Sequence, residues 1–357
     1  MVTTQYVVFG KAKAGELKGL GRLNAHAKSQ VTPFLDVPRP KDMTPTFVHA
    51  HLVGAAEKIS KWWGKAGLFV DHFDIPLRVR ASGGRHPLDI TFRALQQAGV
   101  PAIPVYGFDR DEAYFKSIAA IQRQMRTGLC LRLLEDDMED PSQTVASISH
   151  ALTNLLLTPE SVDVALDFRS LVQKQVPTVV ARGLNAITAI QGLGQFRSII
   201  VAGSNFPRTV GDIPLDGVGY VERRELIVWD RIRAALQERA QPRFGDYSIV
   251  HPDFVDVENA RNANAKIRYT THATWMISRG HMLREEPGYL QYHELARRVA
   301  NATEFMGSDF SWGDEYIQNC ADENDGPGNL AKWVEVDVCH HVSYVMQEIE
   351  ERILAIA

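Results

Sequence analysis

The sequence predicts an α/β protein built as a (β/α)8 TIM-like barrel. Short apolar, β-branched runs recur through roughly the first 250 residues, and a polar turn and a stretch with helical spacing follow each run. Eight such units recur about every 34 residues, close to the roughly 31 residues per unit of a typical barrel. Strands that alternate with crossover helices have to pair in parallel, because a tight hairpin cannot reach a parallel neighbour.

Each unit contributes one predicted strand. The strands are Tyr6–Phe9, Val31–Val37, Gly67–Val70, Pro101–Tyr106, Leu129–Leu134, Val162–Phe168, Ser198–Val201 and Tyr247–Val250. The predicted helices are Pro45–Trp63, Pro87–Ala98, Asp111–Met125, Pro141–Leu157, Asn185–Leu193 and Glu222–Glu238. The alternative fold is an open doubly wound sheet, which usually carries GxGxxG after its first strand. The turn reads GKAKAGE in this chain, which favours the barrel.

The pattern changes after the eighth run. Two strands, Lys266–Thr271 and Ala273–Arg279, form a predicted β-hairpin, and Gly288–Ala302 has helical spacing. A long closing helix is predicted over Trp333–Ile356. We therefore expect a barrel over residues 1–251, an insertion with hairpin and helical elaboration over 252–330, and a closing helix over 331–357.

The composition excludes several classes of protein. The 357 residues are 45% hydrophobic and 23% charged, so collagenous, disordered and disulfide-scaffold chains do not fit. The formal charge of −4 makes nucleic acid an unlikely partner. The three cysteines are far apart and odd in number, which fits a reducing compartment. Together with the lack of a signal-peptide pattern or long apolar run, this predicts a cytoplasmic protein that does not contact a membrane.

Three acids mark the predicted site. Asp36, Asp71 and Asp167 each follow apolar strand residues at the barrel end where functional groups gather. A carboxylate in that position is dehydrated unless a cation, a metal or a donor accompanies it. We predict all three as ligands of a divalent metal, and Asp71 and Asp167 also as catalytic groups. The alternative is a buried ion-pair network that only closes the barrel mouth.

Basic and polar residues at the same strand ends predict a small anionic ligand, with a phosphate or carboxylate group. The predicted ligand-binding residues at these strand ends are Lys11, Lys13, Glu16, Arg132, Arg169 and Ser204, and Asn329 is predicted to join them from the segment before the closing helix. The predicted proton shuttle is His251 after the eighth run or His341 in the closing helix. His341 reaches the mouth only if the segment before the closing helix folds back over it.

Several common chemistries do not fit. The sequence has no GxSxG nucleophile elbow. The turn after the seventh strand supplies Ser, Asn and Arg, whereas a retaining glycosidase needs a second nearby acid. The lysines of the first turn lack the phosphate cup and pyridinium partner that a pyridoxal phosphate site requires.

A family resemblance runs from residue 5 to about residue 345. Its motifs are YVVFGKAKAGELKGLGRL, VTPFLDVP, LCLRL, VALDF, SNFPRTV, FGDYSIVHP, KIRYT, WMISRG, and GPGN followed by W and CHH. With these motifs the chain resembles the beta protein family of bacteriophage T4 and its bacterial relatives. The resemblance implies little about activity, because the family has no established reaction. Its bacterial members resemble accessory genes of phage–host conflict, which implies a defence context.

Two functions remain open at this point. The first is a barrel enzyme that acts on a small anionic molecule by metal-assisted or acid–base hydrolysis. The alternative is a non-catalytic interaction component of a phage-encoded or anti-phage assembly, with a protein partner or a second copy of the chain docked on the insertion.

Overall fold

The computed structural model describes residues 5–237, 241–253 and 262–354. The strands are β1 (Tyr6–Lys11), β2 (Val31–Asp36), β3 (Leu68–Asp71), β4 (Ala102–Tyr106), β5 (Leu129–Leu133), β6 (Val162–Ser170), β7 (Ser198–Ser204), β8 (Val218–Glu222), β9 (Arg243–Asp246), β10 (Asn264–Thr270) and β11 (Thr274–Met282). The helices are α1 (Ala14–Arg22), α2 (Ala25–Gln30), α3 (Pro45–Trp62), α4 (Pro87–Gln97), α5 (Glu112–Met125), α6 (Glu135–Glu139), α7 (Pro141–Leu155), α8 (Val176–Gln191), α9 (Arg224–Leu236), α10 (Gln291–Ala300), α11 (Trp312–Ala321) and α12 (Leu330–Leu354).

The parallel strands β1 to β7 and β9 form a closed barrel, which confirms the predicted fold and excludes the open sheet. Closure occurs where β1 pairs with both β2 and β9. Alternate strand residues point into the barrel, since side chains of a strand alternate between its two faces. The buried apolar interior is Val7, Phe9, Phe34, Phe69, Ile103, Val105, Cys130, Ala165, Ile200, Ala202 and Tyr247.

The eighth barrel strand, β9, lies directly before the run that the sequence predicts. The predicted run Tyr247–Val250 is wrong, because β9 ends at Asp246 and the chain then turns, with Ser248 at a φ of 54°. The sequence of β9, RFGD, lacks β-branched residues, so its composition does not indicate a strand. Its glycine is required by space, since a Cβ on Gly245 would lie 2.8 Å from the Cβ of Ala202.

Two further elements differ from the sequence analysis. The sequence analysis does not predict strand β8. Its residues are exposed or half-buried, and the strand is fixed by its pairing with β11. Helix α8 begins at Val176 rather than at Asn185, and its first turn, VPTVV, has strand-like composition. The proline of that turn has no N–H to leave unpaired, so it is tolerated at a helix start.

The second sheet, in the order β10-β11-β8, packs against α10 and α12, and α11 packs on these two helices. Its core continues into the first half of α12 through Trp333 and Val336. The second half of α12 packs on the barrel core from Val338 to Ile349. Helix α12 therefore ties the second sheet to the barrel. None of the helices in the described ranges has the length and apolar character needed to cross a membrane.

Candidate functional site

One guanidinium lies among three carboxylates at the carboxyl ends of the strands. The Nε of Arg132 donates to Asp167 at 2.9 Å. Its Nη1 donates to Asp71 at 2.8 Å and to Asp36 at 3.2 Å. Its Nη2 donates to the hydroxyl of Tyr247 at 2.8 Å, and that hydroxyl donates to Asp167 at 2.5 Å. Every guanidinium nitrogen of Arg132 is engaged, and we call these five residues the mouth network.

Strand register brings these side chains together. Asp36 and Asp71 are direct register partners at the ends of β2 and β3. Arg132 pairs with Ala165 of β6, and Asp167 follows two residues later. Residues two apart on a strand share a face, so Asp167 points toward the same interior as Arg132.

Asp71 has further partners. It accepts hydrogen bonds from Nη2 of Arg110 and from the hydroxyl of Tyr114, both at 3.2 Å. Burial raises the pKa of Asp71, but the charges of Arg110 and Arg132 outweigh burial and hold that pKa below its ordinary value. Asp71 is therefore a fixed anion that positions the two arginines.

Asp36 differs from the other two acids. Its side chain is 10% exposed, whereas those of Asp71 and Asp167 are fully buried. Burial raises the pKa of Asp36 to about 7, against the opposing charge of Arg132 and with the support of the Asp71 charge. The acid at the solvent edge of the network therefore has a pKa close to neutral pH.

A phenyl ring lies against the arginines of the mouth. Phe73, in the loop after β3, has its ring centroid 4.4 Å from the guanidinium carbon of Arg132 and 4.5 Å from that of Arg169. The guanidinium carbon of Arg110 lies 5.1 Å from the same centroid. The ring packs on all three cations, which is a favourable cation–π arrangement.

Cations also form ion pairs along the rim of the mouth. The Nζ of Lys11 lies 2.6 Å from a carboxylate oxygen of Asp74. Arg169 and Arg208 both bind the partly exposed carboxylate of Asp253, and the Arg208 contact is 2.8 Å long. Burial raises the pKa of Asp253, and the two arginines outweigh this effect, so the net change is a lowering. Two rim arginines thus hold one oxyanion.

Other predicted ligand-binding residues make local contacts. Glu16 accepts the backbone N–H of Lys11 at 2.5 Å. Lys13 immediately precedes α1. The Oγ of buried Ser204 accepts the N–H of Phe206 at 3.1 Å. Exposed Asn329 caps α12 by accepting the N–H of Lys332 at 3.0 Å. These last two side chains serve backbone groups, and neither joins the mouth network.

His251 lies at the rim and is neutral. Its Nδ1 accepts the N–H of Asp253 at 3.0 Å, so its Nε2 carries the hydrogen that Ser170 accepts at 3.0 Å. Burial lowers the pKa of the His251 imidazole, which favours the same neutral form.

His341 lies outside the mouth. Its Nε2 is 2.9 Å from Oδ2 of Asp246, and its Nδ1 is 2.7 Å from Oγ1 of Thr270. The other oxygen of Asp246 accepts the hydroxyl of Tyr6 at 2.8 Å. These four buried residues join β1, β9, β10 and α12, and we call them the seam network. His341 therefore does not reach the mouth, because this helical position faces the outer wall of the barrel.

The three predicted metal ligands surround a side chain. The guanidinium of Arg132 occupies the position between Asp36, Asp71 and Asp167 that a cation would need. Within residues 5–237, 241–253 and 262–354, no group of three or more His, Cys, Asp or Glu has the geometry to hold a metal ion. The acids therefore form an ion-pair network around Arg132.

The fold and the site define an α/β barrel with an ion-paired mouth at the carboxyl ends of its strands. The family model described as Beta protein matches residues 6–347. The chain therefore belongs to the Beta protein family, which confirms the resemblance found in the sequence.

Comparison with other proteins adds two barrel-sized matches. The chain is similar to triosephosphate isomerase from Bartonella henselae, with 12% identity over 68% of this chain and 91% of that chain and a TM-score of 0.37. It is also similar to the arginine decarboxylase of Paramecium bursaria Chlorella virus, with 10% identity over 76% of this chain and 70% of that chain and a TM-score of 0.33. None of the curated proteins matches this chain. The barrel assignment rests on the strand order of the chain itself.

Proposed function

We propose that this protein is an enzyme whose barrel mouth binds a small phosphate- or carboxylate-bearing molecule, with Asp36 as the proton-handling group. The observation that carries the proposal is an excess of one acid at the mouth, where Asp36, Asp71 and Asp167 meet two guanidinium groups, that of Arg132 and, at Asp71, that of Arg110. Asp36 is the carboxyl of this group that has some solvent exposure. A carboxyl with a pKa near 7 both donates and accepts protons at neutral pH.

The rim supports the anionic class of ligand. Arg169 and Arg208 already hold the carboxylate of Asp253, so their spacing fits an oxyanion. A ligand anion that displaces Asp253 would gain the same two guanidinium partners. Hydrolytic chemistry, a cytoplasmic location and a role in phage–host conflict remain predictions from the sequence.

Calorimetric titration with inorganic sulfate tests the anion site, because the charge of sulfate is constant between pH 5 and 9. We expect saturable binding that Arg169→Gln weakens at least tenfold. The matched control is Arg93→Gln, which removes an exposed arginine of α4 and should change the affinity less than twofold. Absence of saturable binding, or equal binding by both variants, would contradict the proposed anion site.

The same titration between pH 6 and 8 tests the role of Asp36. Protonation removes a negative charge from the mouth, so sulfate affinity should fall several-fold as Asp36 ionises with rising pH. Asp36→Asn should bind sulfate with nearly constant affinity over this range. A wild-type affinity that does not change with pH would contradict proton exchange by Asp36.

A separate observation favours the non-catalytic alternative. Strand β8 is an edge strand of the second sheet and exposes Val218 and Tyr220. Such an edge can accept a strand from a partner protein or a second copy. This function predicts concentration-dependent self-association in sedimentation velocity that Val218→Lys abolishes. A monomer at every concentration would count against pairing of two copies.

A further inference from the structure

A cleft opens beside the mouth at the carboxyl end of β4, between α5 and α7. Its volume is about 480 Å³, within the range of small-molecule sites. Tyr106, Phe108 and Phe115 form one wall, with centroid distances from Tyr106 of 5.9 Å to Phe108 and 5.3 Å to Phe115. All three aromatic side chains are only half-buried. The α5–α7 cleft therefore presents aromatic surface in a concave setting.

The opposite wall is one face of α7. Gln143, Ser147 and His150 line the cleft at spacings of four and three residues, which places them on the same side of the helix. Ala146 and Ala151 also line the cleft, and their small side chains leave space for a ligand on that face of the helix. Amide, hydroxyl and imidazole groups thus face the aromatic wall, where they can bind the polar edge of a planar ring.

Arg110 links the cleft to the mouth network. It lines the cleft, while its Nη2 bonds to Asp71 and its Nη1 bonds to Asp109 at 2.6 Å. Its side chain is 5% exposed, and its buried Nε has no hydrogen-bond partner within the described part of the chain. A buried N–H without an acceptor destabilises the folded chain, so an acceptor supplied by a ligand would be stabilising.

Both acids of the cleft are already engaged. Asp111 caps α5 by accepting the N–H of Tyr114 at 2.8 Å. Glu112 pairs with Lys116 at 2.7 Å. Arg110 is the cationic residue of the cleft lining, and its Nε is a donor without a partner among the described residues.

We propose that the α5–α7 cleft binds a planar aromatic or heteroaromatic ring whose anionic group reaches Arg110. This inference rests on the proposed function and adds the class of ligand, a ring-bearing anion. The ring packs against the wall formed by Tyr106, Phe108 and Phe115, and its anionic group lies at the edge of the mouth.

Phenyl phosphate and methyl phosphate are the probes, since they share the anionic group and differ in the ring. Calorimetry with the full-length protein should show phenyl phosphate binding at least tenfold more tightly. Ser147→Trp fills the cleft and should remove this preference. Ser149→Trp is the matched control, because it places the same side chain on an exposed position of α7 that does not line the cleft.

A second variant, Phe108→Ala, removes part of the aromatic wall and should also reduce the preference. Equal affinities of the two phosphates, or a preference that survives Ser147→Trp, would overturn the inference. If methyl phosphate binds and the phenyl ring adds nothing, the cleft fails and the proposed function stands. If only phenyl phosphate binds, and Ser147→Trp abolishes its binding, the cleft stands and the separate anion site at Arg169 fails.

Discussion

The mouth network and the seam network are both built from buried ionisable side chains, yet they differ in charge balance and in access. The mouth places three carboxylates around Arg132 and reaches solvent at Asp36. The seam pairs one carboxylate, Asp246, with one imidazole, that of His341, and both are fully buried. Burial with hydrogen bonding between ionisable side chains is therefore common to both networks. Excess charge with a path to solvent occurs only in the mouth network and marks it as the candidate site.

The seam network has a structural explanation. Burial raises the pKa of Asp246, but His341 and the hydroxyl of Tyr6 outweigh burial and lower the pKa below its ordinary value. Next to it, His340 bonds to Asp314 of α11 at 3.0 Å. These contacts hold the barrel, the hairpin and α12 together. The barrel supplies Tyr6 and Asp246, the hairpin supplies Thr270 and α12 supplies His341.

The largest expected effect comes from removing the central cation of the mouth. Arg132→Met leaves Asp36, Asp71 and Asp167 without their shared partner, so the free energy of unfolding should fall by about 3–5 kcal/mol. Urea denaturation measures this change. Arg93→Met on the exposed face of α4 is the control and should change it by less than about 0.5 kcal/mol. A loss below 1 kcal/mol for Arg132→Met would mean that the three acids are not ionised together.

The second effect is a pH dependence of stability. The pKa of Asp36 rises from 3.8 to about 7 on folding, so the folded chain binds more protons than the unfolded chain between these values. The free energy of unfolding therefore falls as pH rises from about 4 to 7, by at most about 4 kcal/mol for three pKa units. Urea denaturation at pH 5 and pH 8 measures the difference in the free energy of unfolding between the two pH values. In Asp36→Asn this difference should lack the contribution of Asp36. An unchanged decline in the variant would place the titrating group elsewhere.

A smaller effect separates the seam from the mouth. His341→Leu removes the partner of Asp246 and of Thr270 at similar volume, which should cost about 2–3 kcal/mol of unfolding free energy. Sulfate affinity should stay within twofold of wild type, because His341 does not contact the mouth network. A tenfold loss of sulfate binding in a folded His341→Leu protein would show that the two networks act together.

The predicted mouth residues came from a local signal. A carboxylate directly after an apolar strand run marks the strand end, and closure of the barrel brings Asp36, Asp71 and Asp167 together. The sequence did not show that Arg132 would occupy the centre of the group, because its three carboxylate partners lie 35 to 96 residues away in the chain.

The seam and the cleft were beyond sequence reasoning for the same physical reason. The position of the His341 side chain is fixed by contacts with Asp246 and Thr270, which belong to two other elements. Tyr106, Phe108 and Phe115 have the spacing of ordinary core residues, and only packing leaves their rings half-buried. Strand β9 was misplaced because pairing with β1 and β7, rather than strand propensity, fixes it.

The central claim is that the mouth holds a carboxyl that exchanges its proton near neutral pH. Carbon-13 NMR of the side-chain carboxyls, with the Asp36 resonance assigned by its loss in Asp36→Asn, tests it directly. We expect the Asp36 resonance to titrate with a pKa of about 7. A midpoint near 4, the value of an ordinary aspartate, would contradict the account.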